Sequence, residues 1–252
     1  MISIKSQREI ELMAKAGDIV GEVFERLREM IAPQVSTSEL DRVAAQTIRE
    51  FGGRPAFLGY RGYPATICAS INEVVVHGIP GQRRLQQGDI VGVDIGVELG
   101  GYYADAAATF AVGPISSEAQ RLMEVTRQSL AFGIEKARIG NRLSDIGAAV
   151  QGHVEQHGFS VVRMFVGHGI GSHLHEDPEI PNFGKANAGP RLEAGMTLAI
   201  EPMINQGDHQ VEILSDGWTA VTKDRKLSAH FEHTIAVTDQ GPRILTKWQR
   251  NG

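Results

Sequence analysis

The chain has 252 residues, 42 % hydrophobic and 22 % charged, with a formal net charge of −5. That length can bury a substantial core, in one large domain or two small ones, and the mild acidity leaves no general footprint for nucleic acid or an anionic membrane. No stretch approaches the roughly 20 apolar residues that span a bilayer, and Met1–Glu9 lacks the apolar centre of a signal peptide, so a cytoplasmic location is expected.

Ser6-Gln-Arg-Glu9 reads as a capping box. Ile10, Met13, Gly17, Val20, Phe24, Leu27 and Ile31 follow at three- and four-residue spacing, which predicts an amphipathic helix ended by Pro33. A second helix is expected from about Ser36 to Ser38, with Leu40, Val43, Ala44, Thr47, Ile48 and Phe51 on one face and a stop at Gly52-Gly53. In Ile90–Val97 the alternation puts Val91, Val93, Ile95 and Val97 on one face, ready to bury against helices. Asp94 lies on the other face among glycines, with open space expected in front of its carboxylate. Glu98–Gly101 is a plausible turn into a strand carrying Asp105.

After Pro114 the same order returns. Ser117 opens a helix containing Leu122, Val125, Leu130 and Ile134, and Ser144 opens another through Ile146, Val150 and Val154 to Gly158. Ser38-Glu39-Leu40 lines up with Ser144-Asp145-Ile146, and Gly52 with Gly158, at one constant offset. An internal duplication follows, too long in period for a solenoid. It predicts an α/β (α+β) chain of two pseudo-symmetric halves, about 1–113 and 114–252, within a single domain spanning 1–252.

The duplication also pairs acids. Asp94 ends Leu85–Asp94 and Glu201 ends Leu192–Glu201, each nine residues after a Leu and six after a Gly. Asp105 and Glu232 form a second pair, each followed by a β-prone run. A lone Asp belongs by default at a solvated turn, but here the acids recur inside strand-like runs where unpaired charge is costly. Four carboxylates on adjacent strands repel, and a divalent cation relieves the repulsion. The single cysteine, Cys68, rules out thiolate clusters, so the donors are oxygen and imidazole. Four acids and a histidine can hold two ions, a pairing suited to hydrolysis. His168, framed by Gly167 and Gly169, is a candidate donor.

Other motifs carry less. Gly167, Gly169 and Gly171 lack the spacing and following helix of a dinucleotide fingerprint. His153-Val-Glu-Gln-His157 lacks the Glu directly after the first His that a zincin helix needs, and reads as a solvated helix face.

Several segments together resemble the type I methionine aminopeptidases over nearly the whole chain. They are Gly59–Pro64, Ser70–Pro80, Gly88–Asp94, Tyr103–Asp105, Gly167–Gly171 with His175–Pro178, Ala199–Met203 and Phe231–Thr234. The resemblance implies the pita-bread fold, two halves with a curved antiparallel sheet covered by helices. It implies five ligands to two divalent ions, Asp94, Asp105, His168, Glu201 and Glu232, with Asp105 and Glu232 bridging. The ions expected are Co²⁺, Mn²⁺, Fe²⁺ or Zn²⁺. His175 would steady the peptide carbonyl, His77 would orient the peptide, and Glu201 would serve as general base. Tyr60, Tyr63, Cys68 and Trp218 would wall a methionine pocket. Phe57 stands where the family commonly has Cys, and Leu174 where it commonly has Phe, so the pocket's shape differs. The implied substrate is the initiator methionine of nascent proteins whose second residue is small. A monomer is expected, with transient ribosome proximity and no basic surface assignable to it. Prolidases and Xaa-Pro aminopeptidases share the ligand set but usually add an N-terminal domain. Binding proteins of the same fold generally lose ligands, whereas all five candidates are present here.

Overall fold

A computed structural model describes residues 2–248. Four long helices are present among the described residues: α1 (Gln7–Met30), α2 (Thr37–Glu50), α3 (Ser117–Lys136) and α4 (Leu143–Gln156). α1 starts where the capping box predicts: Ser6 Oγ accepts from Glu9 N, and Glu9 Oε2 accepts from Ser6 N at 2.7 Å. α2 repeats the device with Ser36 and Glu39. α3 starts at Ser117 as expected, and α4 starts one residue before Ser144. α3 is capped by Ser116, whose hydroxyl accepts from Ala119 N at 3.1 Å. α4 begins at Leu143, with Asp145 reaching back to Arg142 N at 2.8 Å. Ser144 Oγ instead accepts from Ala188 N at 2.7 Å, holding the neighbouring loop.

The strands Ile90–Leu99 and Tyr102–Ala111 form the antiparallel hairpin anticipated around Gly100-Gly101. Ile67–Ile71 pairs with the first of them along its other edge. In the second half Thr197–Ile200 lies between Gly167–Gly169 and His233–Thr238, in a five-stranded antiparallel sheet. Val91, Val93, Ile95 and Val97 are fully buried, and share one core with α1 and with Leu198, Ile200, Ile235 and Val237 of the other half. Each such side chain contributes about 1.5–3 kcal/mol on burial, so the cross-half core dominates the stability.

The duplication reappears in the backbone hydrogen bonds. Thr37 N donates to Arg83 O and Ser38 N to Gly81 O, while Leu143 N donates to Pro190 O and Ser144 N to Ala188 O. Matching bridges join Ser36 with Arg84 and Arg142 with Arg191. The halves are then stitched along one line. Thr234 Oγ1 accepts from Asp105 N at 3.0 Å and donates to Asp105 O at 2.8 Å. Thr109 Oγ1 donates to His230 O at 2.9 Å and accepts from His230 N at 3.0 Å. Between them Glu232 N donates to Ala107 O at 2.8 Å. These bonds bring Asp105 and Glu232 face to face.

Gly17 shows how closely α1 sits on the other half: a Cβ there would lie 2.1 Å from Leu245 O. Helix propensity favours Ala over Gly by about 1 kcal/mol, but contact with a rigid backbone oxygen outweighs it. Gly17→Ala is therefore expected to destabilise the protein by about 1–3 kcal/mol, and a thermal melt equal to or above wild type would contradict this packing.

Candidate metal centre

Asp94 and Asp105 project from adjacent strands of the hairpin, with Asp94 opposite Ala107 and Asp105 opposite Gly96. His168 is centred in a three-residue strand, opposite Ala199. Glu201 directly follows the strand Thr197–Ile200, and Glu232 directly precedes His233–Thr238. The structure thus gathers the five predicted ligands from both halves. Donor atoms of Asp105, His168 and Glu232 all lie within 4.8 Å of one another. His168 Nε2 is 3.9 Å from Asp105 Oδ2 and 3.6 Å from Glu201 Oε1. Asp105, His168 and Glu232 are buried, while Asp94 and Glu201 are partly exposed.

The electrostatics are those of a buried anion cluster. Burial, followed by the Asp94 and Glu201 charges, pushes the Asp105 carboxyl well above its ordinary range. Burial and the Asp105 charge do the same to Glu232. Asp94 is raised to about 6 and Glu201 to about 7, burial being the first cause in both. Asp94 Oδ1, Asp105 Oδ1 and Glu232 Oε1 are buried without a hydrogen-bond partner. A buried oxygen left so is expensive, and three converging on one place fit a divalent ion held by oxygen donors and one imidazole.

The substrate-side candidates border this cluster. His175 lies at its mouth, its ring 4.2 Å from that of His168, stacked on Tyr60 with Nδ1 3.0 Å from the Tyr60 hydroxyl. His77 packs edge-on against Phe165 at 5.3 Å and faces Trp218 at 6.3 Å. Its φ of 60° is a left-handed conformation that a non-glycine residue rarely holds. Phe57, Tyr63, Cys68 and Leu174 are buried in one apolar cluster, against which Tyr60 and Trp218 pack. Cys68 stands opposite Asp94 in the strand register, and Tyr63 hydrogen-bonds Ile67 O and Gly78 O at 3.1 Å. The loop bearing His175 is fastened by Glu176, which is ion-paired with the buried Lys5 and accepts from His173 N at 3.0 Å.

Two expectations change. The glycine face of Ile90–Leu99 is not open along its length: the Phe57 ring fills the space over Gly96, where a Cβ would lie 2.5 Å from Phe57 Cε1. His153 is not fully solvated, because its ring packs 4.7 Å from Phe132 and 4.6 Å from His157, and its Nε2 is enclosed. One residue was missed. His230 is buried, with Nε2 3.6 Å from Glu201 Oε2 and no hydrogen-bond partner. Its only sequence signal is its place two residues before Glu232.

A sequence model of metallopeptidase family M24 matches residues 11–239. The chain is 54 % identical over 246 residues to a methionine aminopeptidase of Clostridium perfringens, covering 98 % of this chain and 99 % of that protein. It is 52 % identical over 247 residues to methionine aminopeptidase 1 of Bacillus subtilis, covering 98 % and 100 %. The crystal structure of methionine aminopeptidase from Thermotoga maritima superposes with a TM-score of 0.97 at 45 % identity, covering 98 % of this chain and all of that one. Agreement so close shows the pita-bread fold.

The raised carboxyls set a pH dependence for the metal-free protein. Their contribution to stability is full below their ordinary values near 3.8 and 4.5, and is lost as pH rises through about 6 for Asp94, about 7 for Glu201 and the raised values of Asp105 and Glu232. Buried His77 and His233, each lowered to about 4, act in the opposite direction, but only below their ordinary 6.5. Above about pH 6.5 the histidine effect is absent, so the denaturation midpoint of metal-stripped protein is expected to fall as pH rises from there. Added Mn²⁺ flattens that slope, whereas a midpoint independent of pH without metal would contradict the assignment.

Proposed function

The chain belongs to metallopeptidase family M24, within the methionine aminopeptidases, and from that premise we infer that it removes the initiator methionine from new proteins whose second residue is small. The observation that carries this reading is the converging set of partnerless buried oxygens on Asp94, Asp105 and Glu232, beside an apolar pocket that suits a thioether.

Asp94, Asp105, His168, Glu201 and Glu232 are the residues that would hold two divalent ions. The donor set accepts Co²⁺, Mn²⁺, Fe²⁺ or Zn²⁺, and availability decides among them. When bound, such ions polarise a carbonyl oxygen and make water acidic enough to act as a nucleophile near neutral pH. Glu201 takes the proton of the attacking water and returns it to the departing amine as the carbon–nitrogen bond breaks, completing hydrolysis. With the Tyr60 hydroxyl donating to His175 Nδ1, the imidazole proton lies on Nε2, free to donate to the scissile carbonyl oxygen. His77, held by Phe165 and Trp218, orients the peptide beside that amine.

The methionine side chain is assigned to the pocket of Phe57, Tyr60, Tyr63, Cys68, Leu174 and Trp218. Aromatic faces and a buried thiol attract polarizable sulfur by about 0.3–1.5 kcal/mol per ring contact. The cluster draws Asp94 and Asp105 from one half and His168, Glu201 and Glu232 from the other, which supports reading 1–252 as a single catalytic domain. No second copy is needed to complete it, consistent with a monomer. No helix among the described residues is long and apolar enough to cross a membrane. The cytoplasm, where nascent chains expose their first residue near the ribosome, is the compartment this reading assigns.

Metal-stripped protein supplied with Mn²⁺ or Co²⁺ is expected to release Met from Met-Ala-Ser while leaving Leu-Ala and Xaa-Pro peptides intact. Turnover of the Xaa-Pro peptide alone would overturn the reading in favour of a prolidase-like activity. Asp94→Asn is expected to lower kcat by more than the ~10–100-fold typical of changes around a metal's ligands, with the metal-free protein melting no lower than wild type because one repelling charge is gone. Near-normal turnover would remove Asp94 from the ligand set. Phe57→Ala, which empties the wall over Gly96, is expected to raise KM for Met-Ala-Ser by about 10-fold with a smaller effect on kcat, and unchanged KM would place the methionine elsewhere.

A further inference from the structure

We propose that His230 is a positioning residue that holds the Glu201 carboxylate in the orientation metal binding requires, an inference that rests on the metal-centre reading above. His230 ends the strand Ser228–His230 and pairs with Met203, two residues after Glu201. Its backbone is fixed on both polar groups by Thr109 Oγ1, so its Cα is tied to the strand that carries Asp105. The ring is 4 % exposed, and Nε2 has no hydrogen-bond partner.

The setting of Glu201 explains what this imidazole does. Pro202 follows Glu201 and restricts its backbone to extended conformations, which leaves the side-chain torsions as its principal freedom. Glu201 Oε1 faces His168 Nε2 at 3.6 Å, and Glu201 Oε2 faces His230 Nε2 at 3.6 Å. One imidazole therefore stands on each side of the carboxylate. His168 belongs to the candidate ligands. His230 is on the other side, its Nε2 without any hydrogen-bond partner. Closing its gap to hydrogen-bond length takes a shift of about 0.7 Å, within reach of a side-chain rotation. A neutral imidazole with its proton on Nε2 then anchors the outer oxygen and leaves Oε1 directed at the ion. Ligating carboxylates are commonly held by such outer partners, whose loss weakens metal affinity.

The test compares His230→Leu, which cannot donate, with His230→Gln, whose amide can. Metal-stripped full-length proteins are titrated calorimetrically with Mn²⁺, and Co²⁺ adducts are examined by visible absorption. The Leu variant is expected to bind Mn²⁺ about 10–100-fold more weakly than wild type, and the Gln variant to recover most of that loss with an unchanged Co²⁺ spectrum. Circular dichroism of the metal-free variants checks the fold. His230→Met replaces the Leu variant if that one does not fold. Mn²⁺ affinity of the Leu or Met variant equal to wild type overturns the proposal. Equal loss in the Leu and Gln variants, with a shifted Co²⁺ spectrum, also overturns it by marking Nε2 as a direct ligand. Wild-type protein that takes up neither ion overturns the metal centre itself, so the two failures are distinguishable.

Discussion

Mutual repulsion among four carboxylates is the constraint around which this molecule is arranged. Asp94, Asp105, Glu201 and Glu232 are brought together by strands from both halves, and burial raises every one of them above its ordinary pKa. Folding without a cation therefore works against itself at the centre. The opposing stabilisation comes from elsewhere: the shared core of α1 with both sheets, and the threonine stitches at Thr109 and Thr234. The stitches matter because they are polar groups fully satisfied at the seam. They lock Asp105 and Glu232 in place without adding charge to a region that already has too much.

Rigidity is distributed unevenly around the centre. Of the proposed ligands, Asp94, His168, Glu201 and Glu232 stand on or beside strands paired on both edges, such as Ile90–Leu99 and Thr197–Ile200, while Asp105 stands on a strand paired along one. Most residues proposed to meet the substrate come from turns and loops, Tyr60 from a single 3₁₀ turn, Leu174 and His175 from the segment before Glu176–Ile180, and Trp218 from the turn before Ala220–Thr222, whereas Cys68 lies on the paired strand Ile67–Ile71. Loops tolerate change more readily than paired strands. Phe57 and Leu174, the two positions expected to differ from the resembled family, both fall on the proposed substrate side. In the proposed reading they change the lining of the methionine pocket and leave the five proposed ligands untouched.

Much of this arrangement was readable from local pattern. Capping residues start α1 and α2 where Ser6 and Ser36 stand, because a side chain three residues from its partner depends on nothing distant. The alternation in Ile90–Val97 identified the buried face, and the repeated Leu, Gly and acid spacing singled out Asp94 and Glu201, which the fold brings toward one another. What stayed hidden depends on contacts across long stretches of chain. Nothing near Gly96 announces that the Phe57 ring will lie over it. His230 is one of nine histidines, without a glycine frame or a partner at helical spacing to mark it. The α4 start was misplaced by one residue because Ser144, a good cap by type, is recruited by Ala188 of a loop 44 residues away.

The buried ion pair between Lys5 and Glu176 has a bearing on motion. Lys5 N also donates to Gly195 O, so the segment ahead of α1 lies across the second half and holds the carboxylate adjoining His175 in the chain. Gly171 is the residue that admits this crossing, since a Cβ there would lie 2.3 Å from the Lys5 side chain. Detaching that short segment would strand a buried carboxylate without its cation and loosen the turn it caps at His173. Order at the head of the chain and order at the mouth of the active site are thus one cooperative unit, so local unfolding of the first would open the second.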